Sequence, residues 1–164
     1  MDRQQIGVKL TIDGLKLPFE IGLFRNRLIL QKAVYLAQAA GVNLGYYYQW
    51  YLYGPYSPSL TRDEYAIAMD ISADMDESEG WKLDGSSSER LEKMRAIFTG
   101  LKGDELAKKL ELLASVHFLI ERRQVSGVNT KQITETLERF KKDFTEDEVK
   151  NALRELNSYG LLTA

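Results

Sequence analysis

The chain has no cysteine and a single histidine, His117, among its 164 residues. The first absence removes disulfides, thiolate nucleophiles and cysteine-ligated zinc or iron sites together, and it suits a reducing compartment. The second removes any two-histidine metal site and leaves His117 as the only base on which a histidine-activated serine could be built. No apolar run approaches the roughly 20 residues that span a bilayer. The opening MDRQQIGVKL has neither an apolar core nor a small-residue cleavage site. The expectation is a soluble, cytoplasmic protein with no membrane partner. Phosphate-binding loops are missing too, because no glycine precedes Lys-Ser or Lys-Thr and no two glycines stand two apart. A positive surplus is also lacking. Net charge is -2, with 7 basic and 10 acidic residues up to Gly80 and 15 and 14 after it, so neither half is a basic lobe of the kind that binds phosphate backbones.

What remains is ordinary globular composition, 44% hydrophobic and 28% charged, in a length that suits one domain over 1–164. Ile6, Val8, Leu10 and Ile12 alternate with polar or small residues, and Leu15, Leu17 and Phe19 resume the alternation after Asp13-Gly14. This predicts a β-hairpin with an Asp-Gly turn and an edge strand at Pro18. Arg25 to Ala40 is rich in helix formers, with Leu30, Ala33, Val34 and Ala37 at helical spacing before Gly41. Then seven of the 17 aromatic residues fall between Tyr46 and Tyr56, in two alternating sets that predict a strand aromatic on both faces. Gly54 and Pro55 break it. Ser57 before Pro58 reads as an N-cap opening a helix towards Met69.

The acidic run Asp74 to Gly80 predicts a solvated loop, and Ser86 with Glu89 a capping box for a short helix ending near Gly100. Leu106, Leu110, Leu113, Val116, His117 and Ile120 trace the stripe of a helix over 104–123. Asn129 or Thr130 caps the next, and Thr145 with Glu148 makes a capping box for a last helix ended by Gly160. The fold class expected is α+β, mainly α-helical, with about six helices and a small antiparallel sheet made of the N-terminal hairpin and the aromatic strand.

Candidates for chemistry are few, and no catalytic residue, metal ligand or cofactor is assigned. His117 lies on an apolar helix stripe, where a hydrogen-bonded histidine at the core boundary is the expected state. Asp70, Asp74 and Glu77 would share a helix face only if that helix ran on, and they lack the spacing of a calcium loop. The C-terminal helices followed by Gly-Leu-Leu suggest a winged-helix arrangement. Its recognition helix, however, opens with Glu146, Asp147 and Glu148, which phosphates repel, and the chain stops at Ala164 before a wing returns. The aromatic strand is core, a protein-binding platform or a base-stacking surface. The last needs basic neighbours, and none occurs between Lys32 and Arg62.

The segment RLILQKAVYLAQAAGVNLGYYYQWYLYGPYSPSL resembles the signature of the YwgA-like and Panacea-type (SocA-like) bacterial and archaeal domains. The shared marks are an LQK helix, a glycine, an aromatic strand ending Tyr53-Gly54-Pro55-Tyr56-Ser57, and a leucine soon after. KLELLASVHFL and EDEVKNALRELNSYGLL are similar to that family's later helices, so the resemblance touches most of the chain. It implies a non-enzymatic protein-binding module. Panacea-type domains act as antitoxins by direct contact, and a SocA-like protein is an adaptor that delivers its toxin to a protease. The nearer resemblance is to the stand-alone YwgA-like form. It implies that Tyr48, Trp50, Tyr53, Gly54, Pro55, Tyr56 and Ser57 define the fold or face a protein partner, such as a toxin or a client for proteolysis, or a second copy of the chain. The alternatives are a winged-helix-like nucleic-acid-binding regulator and a metal-dependent hydrolase.

Overall fold

The structure, a computed structural model, describes residues 1–162. Seven α-helices and one two-stranded antiparallel hairpin make a mainly helical α+β fold: α1 Arg3–Gly14, α2 Phe24–Ala39, β1 Gln49–Tyr51, β2 Gly54–Tyr56, α3 Pro58–Ser72, α4 Gly85–Met94, α5 Gly103–Glu121, α6 Thr130–Arg139 and α7 Glu146–Ser158. Short 3-10 turns cover Glu77–Gly80 and Arg95–Phe98. Among the described residues no helix is long and apolar enough to cross a membrane.

Helices α2 and α5 form the centre, and their mutual contact is the most extensive in the fold. Each is apolar around most of its circumference, which is the pattern of a helix covered on all sides. α2 buries Leu28, Leu30, Ala33, Val34, Leu36 and Ala37; α5 buries Leu106, Leu110, Leu113, Val116 and Leu119. The remaining elements coat this pair: α1 and α3 lie against α2, the hairpin against both α5 and α2, α7 against α5, and α6 against α7. α6 and α7 are two-faced, burying Ile133 and Leu137, and Val149, Ala152, Leu153 and Leu156, as their periodicity predicts. The Thr145–Glu148 capping box is present in both directions, and Asn129 caps α6 through the Gln132 amide.

The N-terminal hairpin expected from alternation is not there; α1 stands in its place. Asp2 accepts from the Gln5 amide while the Gln5 side chain reaches back to the Asp2 N–H, so the chain enters a helix through a capping box written with Asp and Gln. Val8, Thr11, Ile12 and Leu15 then fall on one buried stripe. Ile6, Val8, Leu10 and Ile12 satisfy a period of two and, with Thr11 and Leu15 counted, the helical period as well; the cap decides between them. Asp13-Gly14 ends this helix, and Lys16 turns left-handed with φ 61°. The sheet therefore takes both strands from the aromatic segment. α4 also starts differently from the expected Ser86 cap: Asp84 caps it, accepting from the Ser87 N–H and hydroxyl, both at 2.8 Å.

The aromatic segment alternates over a longer range than its hydrogen-bonded strand. Val42, Leu44, Tyr46 and Tyr48 are buried, while Asn43, Gly45, Tyr47 and Gln49 face out. The chain runs extended to Tyr51, reverses over Leu52-Tyr53, and returns with Gln49, Trp50 and Tyr51 opposite Tyr56, Pro55 and Gly54. Gly54 makes the reversal with φ 89°, and an added Cβ there would land on Ser115 Oγ of α5. Glycine is required on both grounds.

Candidate functional site: the hairpin and its seat

The hairpin is seated by side chains of α2 and held at its tip from α5 and the α6–α7 connection. The Gln31 amide treats Ser57 as a strand partner, its Oε1 accepting from the Ser57 N–H at 3.1 Å and its Nε2 donating to the Ser57 carbonyl at 2.9 Å. The same Nε2 donates to Thr61 Oγ1 at 2.8 Å. Lys32 Nζ, fully buried, donates to the Pro55 carbonyl. Lys142 Nζ donates to the Leu52 carbonyl at 2.7 Å and pairs with Glu111 at 2.8 Å. Arg122 donates to the Tyr48 carbonyl at 3.1 Å. The Gln-Lys pair of the LQK helix and the Gly-Pro-Tyr-Ser turn thus meet in space as two halves of one hydrogen-bonded unit.

Polar groups beneath this unit are unusually short of compensation. Glu64 of α3 and Ser115 of α5 are fully buried, and neither Glu64 oxygen nor Ser115 Oγ has a hydrogen-bond partner among the described residues. Burial pushes the Glu64 carboxyl up to about 8, against a weaker opposing pull from Arg27. Lys32 goes the other way: desolvation brings it down to about 7, Glu111 opposing and Lys142 adding to the effect. Both groups are held towards their neutral forms. His117, by contrast, is fully served. Its Nε2 donates to the Leu161 carbonyl at 3.0 Å, which fixes Nδ1 as acceptor from the Tyr35 hydroxyl at 2.7 Å, and burial lowers its basicity. It joins α5 to the segment after α7.

The seven residues singled out in the sequence separate by environment. Tyr48, Gly54, Pro55 and Ser57 are interior. Trp50 is half-buried against Phe118 and Phe140, at 5.7 and 5.0 Å between ring centroids, with the Lys142 ammonium 5.5 Å from its own. Tyr56 is half-buried and Tyr53 exposed. Exposed with Tyr53 are residues that the sequence did not single out: Leu52 at 74%, Phe24 at 51% and Tyr51 at 43%. Phe24 and Tyr53 touch at 5.1 Å, as do Tyr51 and Tyr56. Together with Leu28, Arg27 and the seat residues Gln31, Lys32 and Thr61 they line a cavity of about 270 Å³ between the hairpin and the start of α2. The signal that could have located it is the Leu23-Phe24 pair at an N-terminus with no side-chain cap, an apolar pair placed where helices usually begin with polar residues.

Of the carboxylates considered for a metal, Asp74 is exposed, and Asp70 and Glu77 converge on an amino group of the chain itself. Asp70 and Glu77 lie 3.2 and 2.8 Å from the amino group of Met1, and Asp76 faces Lys9 at 3.4 Å. Among the described residues no group of three His, Asp or Glu is placed to hold an ion. Glu146, Asp147 and Glu148 occupy the first turn of α7, as a helix dipole favours. Comparison with protein-family models, curated proteins and solved structures finds no match to this chain.

Proposed function

We propose that this protein is a non-enzymatic protein-binding module of the neutraliser or adaptor kind implied by its resemblance to YwgA-like and Panacea-type domains, acting in the cytoplasm through the hairpin tip. One observation carries the reading: Tyr51, Leu52 and Tyr53 stand exposed on a reversal whose carbonyls are bound from below by two lysines. Large apolar side chains on a rigid support lose little conformational freedom on binding, and tyrosine is among the residue types that anchor interfaces. The buried members of the YGPYS element hold the surface in shape, and the exposed ones meet the partner.

Co-purification from the native cell, followed by reassembly from purified components, tests this. Wild type is compared with a Leu52→Glu, Tyr53→Ala variant shown to be folded by circular dichroism. A direct partner retained by wild type and lost by the variant supports the reading. Equal retention by both removes the hairpin tip from the interface.

A further inference from the structure

The cavity beside the hairpin has a size, a lining and a charge that together specify an occupant. Its volume, about 270 Å³, is below the roughly 300–1,000 Å³ of clefts that take drug-sized ligands, and it matches one bulky side chain. Phe24, Leu28, Tyr51, Leu52, Tyr53 and Tyr56 are six of its ten lining residues. Around the mouth the apolar surface continues over Leu23 and Tyr65, both exposed, so an occupant confined to the cavity would leave this rim uncovered. A longer chain with one side chain inserted covers both.

The basic residues of the lining are Arg27 and Lys32, and it contains no carboxylate; Lys32 is buried and turned to the Pro55 carbonyl, which leaves Arg27 as the charge that an occupant meets. From Ala33 to Thr61 the chain has no charged residue at all, so the hairpin brings no counter-charge. Arg27 stacks at 5.8 Å on Phe24 and 5.9 Å on Tyr65, and it donates to the Ile21 carbonyl at 2.7 Å, but no carboxylate lies within 4 Å of it among the described residues. Glu64, the acid that acts on it, is held neutral by burial. Glu111, behind the hairpin, is matched by Lys142. At the polar edge, Gln31 donates to Thr61 Oγ1 and Thr61 donates to the Tyr56 oxygen at 2.7 Å, which leaves the Tyr56 hydroxyl hydrogen free to donate to an incoming acceptor.

We infer that this cavity receives a short linear segment of a partner protein, seating one large apolar or aromatic side chain between Phe24 and the hairpin and presenting an adjacent Asp or Glu to Arg27 and the Tyr56 hydroxyl. This rests on the protein-binding reading and narrows it from a surface to a motif. Guanidinium recognition of a carboxylate fixes the direction in which the segment lies, and the apolar anchor supplies the greater part of the affinity.

Selection from a random dodecapeptide phage library on the immobilised intact chain tests it, followed by fluorescence polarisation with the selected peptides. The expected result is enrichment of sequences with an aromatic or large aliphatic residue within two positions of an acid. Leu52→Glu, which alters only an exposed tip, should weaken binding about tenfold or more. Arg27→Gln should weaken it several-fold and flatten its salt dependence, and Trp81→Ala, an exposed aromatic outside the cavity lining, should leave it unchanged. Enriched peptides without acids, or with basic residues, overturn the motif while leaving the protein-binding reading intact. Peptides that still bind the Leu52→Glu variant, or no enrichment at all, overturn the cavity as the site. A wild-type dimer that Leu52→Glu dissociates in light scattering overturns it in favour of a second copy. Loss of a reassembled folded partner in the co-purification experiment is a separate readout that fails only with the broader reading.

Discussion

Replacing Glu64 by glutamine should make the protein more stable in alkali while leaving it nearly unchanged in acid. The carboxyl titrates at about 8 in the folded chain against 4.5 for the free side chain. At ~1.36 kcal/mol per tenfold change in proton affinity, the full difference corresponds to about 5 kcal/mol. The sign follows from proton counting. Between the two values the unfolded chain has released its proton and the folded chain still holds it, so the unfolded state binds fewer protons and stability falls as pH rises. The loss begins near pH 4.5 and is complete just above pH 8. Glutamine keeps the shape and stays neutral throughout, and every other titration, Lys32 included, is common to both chains. Urea unfolding of wild type and Glu64→Gln at about pH 5 should therefore give free energies within about 1 kcal/mol of each other, and at about pH 9 the variant should lead by about 3 to 5 kcal/mol. Parallel pH profiles would refute the reasoning, because they would mean that Glu64 already ionises with a partner or with water in the folded chain.

Lys32→Met reports the mirror effect. Folded Lys32 titrates at about 7 against 10.5 when free, so the unfolded state binds the extra proton between those values and wild-type stability relative to the variant should rise with pH across that window, as read from the same unfolding curves. Gly54→Ala should cost about 2 to 4 kcal/mol, combining a left-handed φ of 89° with overlap on Ser115, and a second Ser115→Gly change should recover only the overlap. Ser115→Ala alone removes an unpartnered buried hydroxyl and should leave thermal stability unchanged or raise it by up to about 1 kcal/mol. Lys142→Met deprives the Leu52 carbonyl and Glu111 of their shared donor. It should cost about 2 to 3 kcal/mol and speed hydrogen exchange in the hairpin before it does so elsewhere.

The elements most legible in the sequence were those that carry two agreeing local signals. α7 has a capping box and an amphipathic stripe, α3 has Ser57 with Pro58, and α5 has a long periodic run; all three formed where expected. α1 departs from the expected hairpin because its apolar residues fit a strand if Thr11 is ignored, yet Thr11 is buried with its hydroxyl donating to the Gly7 carbonyl at 2.8 Å. A polar residue satisfied by its own helix belongs to the core stripe, and an apolar count omits it. The aromatic segment is extended and aromatic on both faces, as its alternation predicts, although only Gln49–Tyr51 of it pairs as the first strand. Its second strand was hidden by Pro55, which pairs at a sheet edge where its missing N–H costs no ladder bond. The seat of the hairpin was the least legible part. Lys32 and Glu64 sit in helices among ordinary charged residues, and only the three-dimensional packing of α2, α3 and α5 takes them out of water.

That packing bears on function through where the uncompensated groups lie. A helical core of this size can fill such positions with leucine or methionine at a gain in stability, since a buried charge or orphan hydroxyl is disfavoured against an apolar residue of similar volume. Here Lys32 and Ser115 flank Gly54 at the exposed aromatic reversal, and Glu64 stands beside Tyr48 and Arg27. Elsewhere, the buried Thr134 and Thr136 of α6 are satisfied by their own helix, and His117 of α5 by two bonds. Violations of local consistency confined to one surface are expected where a shape is kept for contact and not for stability. The same groups explain why the tip is rigid without being apolar beneath: the backbone carbonyls of Leu52 and Pro55 are each met by a lysine, Lys142 from the connection between α6 and α7 and Lys32 from α2. A leucine at either position would fill the space and release the carbonyl, and the hairpin would lose the geometry that holds Tyr53 against Phe24.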